Sequence, residues 1–245
     1  VKYSALSDIG QKREKNEDSW NIILDADGNP VGFVVADGMG GYVAGEEASR
    51  IAVQEISSLV MACVEARDIP TMHEIINRCI ESINHQIMEY SNKNLGGLKS
   101  GTTLSIGIVK GGELYIAHIG DGRVYLIRDG EIRSITQDHT YVAELVKGGI
   151  ISSNEALNHP DKHKITRALG FRENYLPDFY RETIKENDIF VFCTDGLYEH
   201  LSDEEIRDII LKGPIEAASS ELIKAVNQRG GNDNVTVIIA WEEAR

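Results

Sequence analysis

The sequence predicts an α+β chain in which two antiparallel sheets face each other and pairs of helices pack outside them. Three observations predict it. Apolar strand-like runs lie close together and are joined by short turns, so they pair antiparallel. Two long stretches instead repeat their apolar residues at helical spacing. The order is strands, two helices, many strands, two helices and a strand, with no linker, repeat or low-complexity segment between them. One domain over residues 1–245 is expected, a length that supports a full core.

Residues 2–8, 18–24 and 31–36 read as strands, the last two joined by Asp25-Ala26-Asp27-Gly28-Asn29-Pro30. That loop begins like a calcium-binding EF-hand. Pro30 stands where the sharp turn needs glycine, however, and Ala36 where a bidentate glutamate belongs, so it reads as a hairpin. Ala48, Ile51, Ala52, Ile56, Leu59, Val60 and Cys63 then mark a first amphipathic helix. Met72, Ile76, Cys79, Ile80, Ile83 and Ile87 mark a second.

Strand patterns return at 102–109, 113–119, 123–128 and 131–135. An irregular stretch, about 138–165, holds a short helix around Val142–Val146, then Gly148-Gly149, Ser152-Ser153 and His159-Pro160. It reads as a surface flap with a glycine hinge, the kind of loop that chooses substrates. Strands at 176–184 and 188–194, helices near 202–211 and 214–228, and a strand at 234–241 complete the chain.

Composition is globular, with 42% hydrophobic and 26% charged residues. The formal net charge of −14 argues against a nucleic-acid binder, because phosphate backbones demand a basic surface. Cys63, Cys79 and Cys193 lie singly in apolar segments and form no CxxC pair, which suits buried thiols in a reducing compartment. No apolar run is long enough to span a bilayer. The first residues carry no basic-then-apolar signal, so a cytoplasmic location is expected. The sequon Asn234-Val235-Thr236 opens a core strand and reads as accidental.

Three strongly apolar runs end on Asp-Gly: Asp37-Gly38, Asp121-Gly122 and Asp195-Gly196. A fourth acid, Asp233, precedes the apolar run Val235–Ala240. Asp-Gly is a common turn pair, and Asp27-Gly28 and Asp129-Gly130 read as such. Acids at the ends of buried strands are different. They gather negative charge at one end of a sheet, which hard cations hold through oxygen ligands. Upstream, Lys12 and Lys15 read as solvated loop residues. Arg13 carries a planar guanidinium that can grip phosphate in two places beside such a cluster.

Arg13-x3-Glu17-Asp18, Ala36-Asp37-Gly38-Met39-Gly40-Gly41, Ser100-Gly101-Thr102-Thr103, Gly120-Asp121-Gly122-Arg123, Thr194-Asp195-Gly196 and Gly231-Asn232-Asp233-Asn234 occur in this order. Together they resemble the PP2C-type (PPM) metal-dependent protein serine/threonine phosphatases, bacterial branch, over almost the whole chain. The resemblance implies a four-layer α-β-β-α sandwich. It implies Mn²⁺ or Mg²⁺, with Asp37 bridging two tightly held ions, the Gly38 carbonyl completing one site, and Asp195 and Asp233 the other. Asp121 with Asp195 is implied to hold a third, weaker ion, and Glu17 and Asp18 to position metal-held waters.

The chemistry implied is hydrolysis of phosphoserine and phosphothreonine by a metal-bridging hydroxide, with Arg13 orienting the phosphoryl oxygens. Phosphoproteins are the expected substrates, and a cognate serine/threonine kinase the expected opponent. Neither nucleic acid nor membrane insertion is expected. Met39 stands where eukaryotic members carry a histidine assigned as general acid, and a thioether donates no proton. His118, His139 and His163 are other candidates, although a lone histidine is more often structural.

The alternative is a catalytically weak PPM-fold signalling or binding module, for which missing acids would be the mark; Asp37, Asp121, Asp195 and Asp233 are all present. A calcium buffer would need dedicated loops, and a nucleotide-binding kinase a Walker A segment; neither occurs.

Overall fold

The structure is a computed structural model that describes residues 1–40 and 45–242. Its opening strands are β1 (Lys2–Asp8), β2 (Asp18–Leu24) and β3 (Pro30–Gly40). Helices α1 (Gly45–Glu65) and α2 (Ile69–Asn94) follow, then β4 (Ser100–Thr102), β5 (Leu104–Lys110), β6 (Glu113–Ile119), β7 (Arg123–Arg128) and β8 (Glu131–Ser134). The flap carries α3 (Tyr141–Lys147) and α4 (Ser153–Leu157). Then come β9 (Asp178–Thr183), β10 (Ile189–Cys193), α5 (Asp195–Tyr198), α6 (Asp203–Lys212), a short 3-10 turn, α7 (Ala218–Gln228) and β11 (Val235–Trp241).

Two antiparallel sheets result, ordered β1-β11-β10-β7-β8 and β2-β3-β5-β6-β9, with β4 paired to the end of β3. Because side chains alternate across a strand, each central strand feeds two cores at once. On β10, Phe190 and Phe192 point between the sheets, whereas Ile189, Val191 and Cys193 face α5, α6 and α7. On β3, Phe33 and Val35 enter the same inter-sheet core, whereas Val34 and Ala36 meet α1 and α2. Three stacked cores therefore make the α-β-β-α sandwich. They also explain why β10 and β11 read as unbroken apolar runs: every residue of both strands is buried.

Most elements lie where the sequence places them, and the departures have local causes. β3 runs on through Asp37 to Gly40 because β4 pairs with its end, Gly38 opposite Thr102 and Met39 opposite Gly101. The expected strand 102–109 is thus two strands that pair with different stretches of β3, β4 with Gly38–Gly40 and β5 with Gly32–Val35. The flap holds a second helix, α4, closed by a capping box between Ser152 and Glu155. Gly148 and Gly149 end α3, through amide bonds to Glu144 and Val146, in place of the expected hinge. Asp129-Gly130 is a true two-residue hairpin turn with positive φ at both positions, as expected. Among the described residues no helix is long and apolar enough to cross a membrane.

The inter-sheet core has one large keystone. Phe192 is fully buried, its ring 5.5 Å from that of Phe33. Gly107 on the facing sheet lacks the Cβ that would collide with it. Phe192→Ala should cost about 3–5 kcal/mol, the usual range for truncating a buried aromatic. Urea unfolding checks this; a midpoint unchanged from wild type would show that the two sheets do not depend on this contact.

Candidate active site

Pairing register brings the acidic strand ends to one end of the sandwich. Asp18 opens β2 directly opposite Asp37 on β3. Cys193, just before Asp195, pairs with Val237 on one side and Arg123 on the other, so the start of β11 and the start of β7 arrive beside the end of β10. Asp233 and Asp121 come with them. Asp121 lies where the chain leaves β6 of one sheet for β7 of the other.

Backbone contacts hold these positions. The Thr102 hydroxyl and the Thr103 amide both donate to the Asp37 carbonyl at 2.9 Å, and the Asp37 amide donates to Thr103 Oγ1 at 2.9 Å. The Ser-Gly-Thr-Thr segment is therefore the cradle of Asp37. The glycines after the acids are not turn residues, since neither Gly38 nor Gly196 has positive φ. A Cβ on Gly38 would collide with the Gly45 carbonyl at the head of α1, and one on Gly196 with the Asn234 carbonyl. Asp-Gly at these strand ends marks close backbone packing.

Polar side chains bind the loop 9–17 to the same place. Asn234 accepts the Glu17 amide at 2.8 Å and donates to the carbonyls of Ile9 and Lys15 at 3.0 and 2.9 Å. Arg13 Nη2 then reaches Asp233 Oδ2 at 2.6 Å. Burial works against the charge on Arg13, but the bond to Asp233 and the nearby Glu17 and Asp37 outweigh it, so its pKa is raised. Lys12 and Lys15 stand exposed, as expected of solvated loop residues.

Crowding shows in the carboxylates. Asp37 and Asp195 are both raised well above the ordinary value, first by burial and then by the neighbouring acids. Asp18 and Asp121 are each pushed up to about 7, again by burial first. Asp18 is offset by hydroxyls of Thr236 and Thr194, which donate to its Oδ2 at 2.7 and 3.0 Å. Glu17, also raised by burial, takes the Gly45 amide at the head of α1, where the helix dipole favours an anion.

Asp37, Asp121, Asp195 and Asp233, with the Gly38 backbone, are thus gathered but not closed up. Among the described residues no three Asp, Glu, His or Cys side chains converge tightly enough to hold an ion as they stand. Mutual repulsion favours separation, and Asp233 is drawn toward Arg13. The donor set nevertheless fits a hard cation. All its ligands are oxygens, and the buried Oδ1 atoms of Asp18 and Asp195 have no hydrogen-bond partner. Asp18, expected with Glu17 to position metal-held waters, is buried against the hydroxyls of Thr194 and Thr236. Gly41, the last residue of the Asp-Gly-Met-Gly-Gly motif, lies outside the described residues.

The histidines divide by role. His118 is fully buried, with Nδ1 on Ser105 Oγ at 2.9 Å and Nε2 on the Gly120 carbonyl at 3.0 Å. Burial lowers its pKa to about 3, so it stays neutral and structural. His139 Nδ1 accepts the Gly120 amide at 3.1 Å, and burial lowers its pKa as well. His163 lies on the flap with Nδ1 2.6 Å from Glu199. A cavity of about 640 Å³ under the flap is lined by Asp121, Val142, Val146, Ala156, Leu157 and Tyr198 among others. The residues that sequence reasoning missed (Thr194, Thr236, Gly45 and Tyr198) act through single hydroxyls or a backbone amide, which leave no pattern along the chain.

A profile of the family described as Protein phosphatase 2C matches residues 10–237. This chain belongs to the protein phosphatase 2C family. Serine/threonine phosphatase stp of Listeria welshimeri is 34% identical over 237 residues, which cover 95% of this chain and 92% of that protein. The serine/threonine phosphatase structure from S. agalactiae superposes with a TM-score of 0.91, at 33% identity and 99% coverage of both chains. The catalytic domain of PstP, in complex with two manganese ions, gives a TM-score of 0.82 at 31% identity, covering 99% of this chain and 98% of that one. The PP2C fold expected from the sequence is the fold observed.

The raised acids fix the sign of a pH effect. In the unfolded chain Asp121 ionises near the ordinary 3.8, whereas in the fold it holds its proton to about 7. Its burial costs nothing below pH 4, costs progressively more as pH rises from about 4 to 7, and stays costly above that. Asp121→Asn should therefore unfold at a higher temperature than wild type in chelator at pH 8, with the gap closing toward pH 4. Thermal unfolding at both pH values tests this; a variant less stable than wild type at pH 8 would contradict it.

Proposed function

We propose that this PP2C enzyme hydrolyses phosphoserine and phosphothreonine in proteins with divalent cations held at the acidic end of its sandwich. The chain is a protein serine/threonine phosphatase by family and by close relatives that bear that name. The observation that carries the mechanism is the convergence of acids from separate strand ends, two with unpartnered buried oxygens, beside one arginine. Asp37 would bridge two ions, with the Gly38 carbonyl completing one site and Asp195 and Asp233 the other. Asp121 with Asp195 would hold a third, weaker ion. Mn²⁺ or Mg²⁺ suits such oxygen donors, and the related PstP structure with two manganese ions supports that choice.

When bound, the cations would neutralise the phosphate's charge and supply an activated water for in-line attack at phosphorus. The chain's own residues do the rest. Arg13 exchanges Asp233 for the phosphoryl oxygens. Its ion pair with Asp233 is exposed, a type worth about 0–1 kcal/mol, so little is lost when the guanidinium turns to phosphate. Glu17 and Asp18 orient waters at the cluster's edge. Met39 supplies no proton, and His118 is neutral with both nitrogens engaged. The flap over 138–165, beside Asp121, is the element placed to choose among phosphoproteins. Ser152 caps α4, so Ser153 is the serine free to meet a substrate. The enzyme would reverse a serine/threonine kinase in the cytoplasm of the same cell.

Two outcomes test the reading. Phosphate release from a phosphothreonine peptide should require added Mn²⁺ or Mg²⁺, stop on chelation, and be lost in Asp37→Asn; full turnover by that variant would remove Asp37 from its bridging role. Arg13→Ala should lower kcat/KM by a factor corresponding to about 1.5–3 kcal/mol while Mn²⁺ affinity changes little. An unaltered kcat/KM would leave Arg13 as a solvated loop residue.

A further inference from the structure

Arg123 follows Asp121 by two residues, at the first position of β7. Every edge of its guanidinium is engaged. Nε and Nη2 grip both oxygens of Asp138 at 2.7–3.2 Å, and Nη1 donates to Tyr125 Oη at 3.0 Å. Its Cζ lies 3.6 Å from the centre of the Tyr198 ring, in face contact. A planar fork that binds a carboxylate while stacking on a ring is arginine chemistry, which lysine does not reproduce.

Both of these partners lead to Asp121. Tyr198 donates its hydroxyl to the Asp121 main-chain carbonyl at 2.8 Å. Asp138 leads directly into His139, whose amide donates to the Gly120 carbonyl at 2.8 Å and whose Nδ1 accepts the Gly120 amide at 3.1 Å. The peptide groups before and after Asp121 are thereby held by His139 and Tyr198, and one guanidinium contacts Tyr198 and Asp138, the residue before His139. The Asp121 side chain itself is buried.

The geometry assigns Arg123 as a positioning residue that aims the Asp121 carboxylate, acting through Tyr198 on one side and Asp138–His139 on the other. This rests on the reading of Asp121 as a ligand of the weaker cation. The competing description is a clamp that only ties β7 to the flap and α5. Such a clamp would change stability and leave cation affinity alone, so affinity separates the two.

The experiment is calorimetric titration of the full chain with Mn²⁺ for wild type, Arg123→Lys, Tyr198→Phe and the double variant, with thermal unfolding as the check on folding. Each single change should weaken the low-affinity site about three- to tenfold, the range for one net hydrogen bond. The tight pair should stay within twofold of wild type. The double variant should fall short of the product of the singles, because the two changes share the route through Tyr198. Tyr198→Phe removes a single oxygen and keeps the ring, so it decides the matter alone if Arg123→Lys fails to fold. Wild-type affinity at the weak site in the folded variants overturns the assignment, and so does equal weakening of every site. A wild-type chain that neither binds Mn²⁺ nor hydrolyses phosphopeptide overturns the proposed function first, and this inference with it.

Discussion

Crowding of like charge at one end of two apolar sheets is the constraint on which the rest of this molecule depends. A buried carboxylate is costly unless it is bonded or neutralised. Here Asp18, Asp37, Asp121 and Asp195 are all pushed toward the neutral form by burial first and then by neighbouring acids, which for Asp37 and Asp195 include the others of this set. The fold offsets this locally: threonine hydroxyls on Asp18, the amide at the head of α1 on Glu17, Arg13 on Asp233. None of these neutralises the centre. The fold holds an arrangement that only added positive charge completes.

Rigidity is what allows the arrangement to persist. The strands ending in acids are buried on both faces, because each separates an inter-sheet core from a helix-covered one. A close-packed interior resists the small shifts that would let repelling carboxylates relax apart. Glycine then brings the strand ends into backbone contact: Gly38 against Gly45, and Gly196 against the carbonyl of Asn234. A side chain at either place would have to force these backbone segments apart.

Most of the fold was legible because it rests on periodicity. The unbroken apolar run of β3, the alternation of large and small residues in β5, the helical spacing in α1 and α2 and the hairpin glycines all encode burial directly. What was not legible has a common cause, dependence on partners distant in sequence. The extension of β3 past Asp37 needs β4, some 60 residues on, and α5 is a single turn with no period to show. The capping box of α4 was present in the sequence as Ser152-x-x-Glu155, but the flap's irregularity masked it. In the site, the four aspartates and Arg13 stood out because charge at the end of an apolar strand is anomalous. Thr194, Thr236 and Tyr198 did not, since a hydroxyl on a core element is ordinary until its partner is known.

The same electrostatics bears on how substrate is admitted. A phosphate monoester carries negative charge, and so do the cluster and the chain as a whole, at a formal −14. Arg13 is already bound to Asp233, and Arg123, near Asp121, is held by Asp138. Without cations, phosphate approaching this end of the sandwich meets repulsion that one shared arginine cannot cancel. On the proposed reading, bound cations would reverse the sign of the local field and give Asp233 a stronger partner than Arg13, leaving the guanidinium to the phosphoryl oxygens. Cation binding and substrate binding would then be linked through one exchange of partners at Asp233, each favouring the other by the same factor. In that scheme the Arg13–Asp233 bond would be the resting state of the site, an exposed ion pair weak enough to break when a cation takes Asp233.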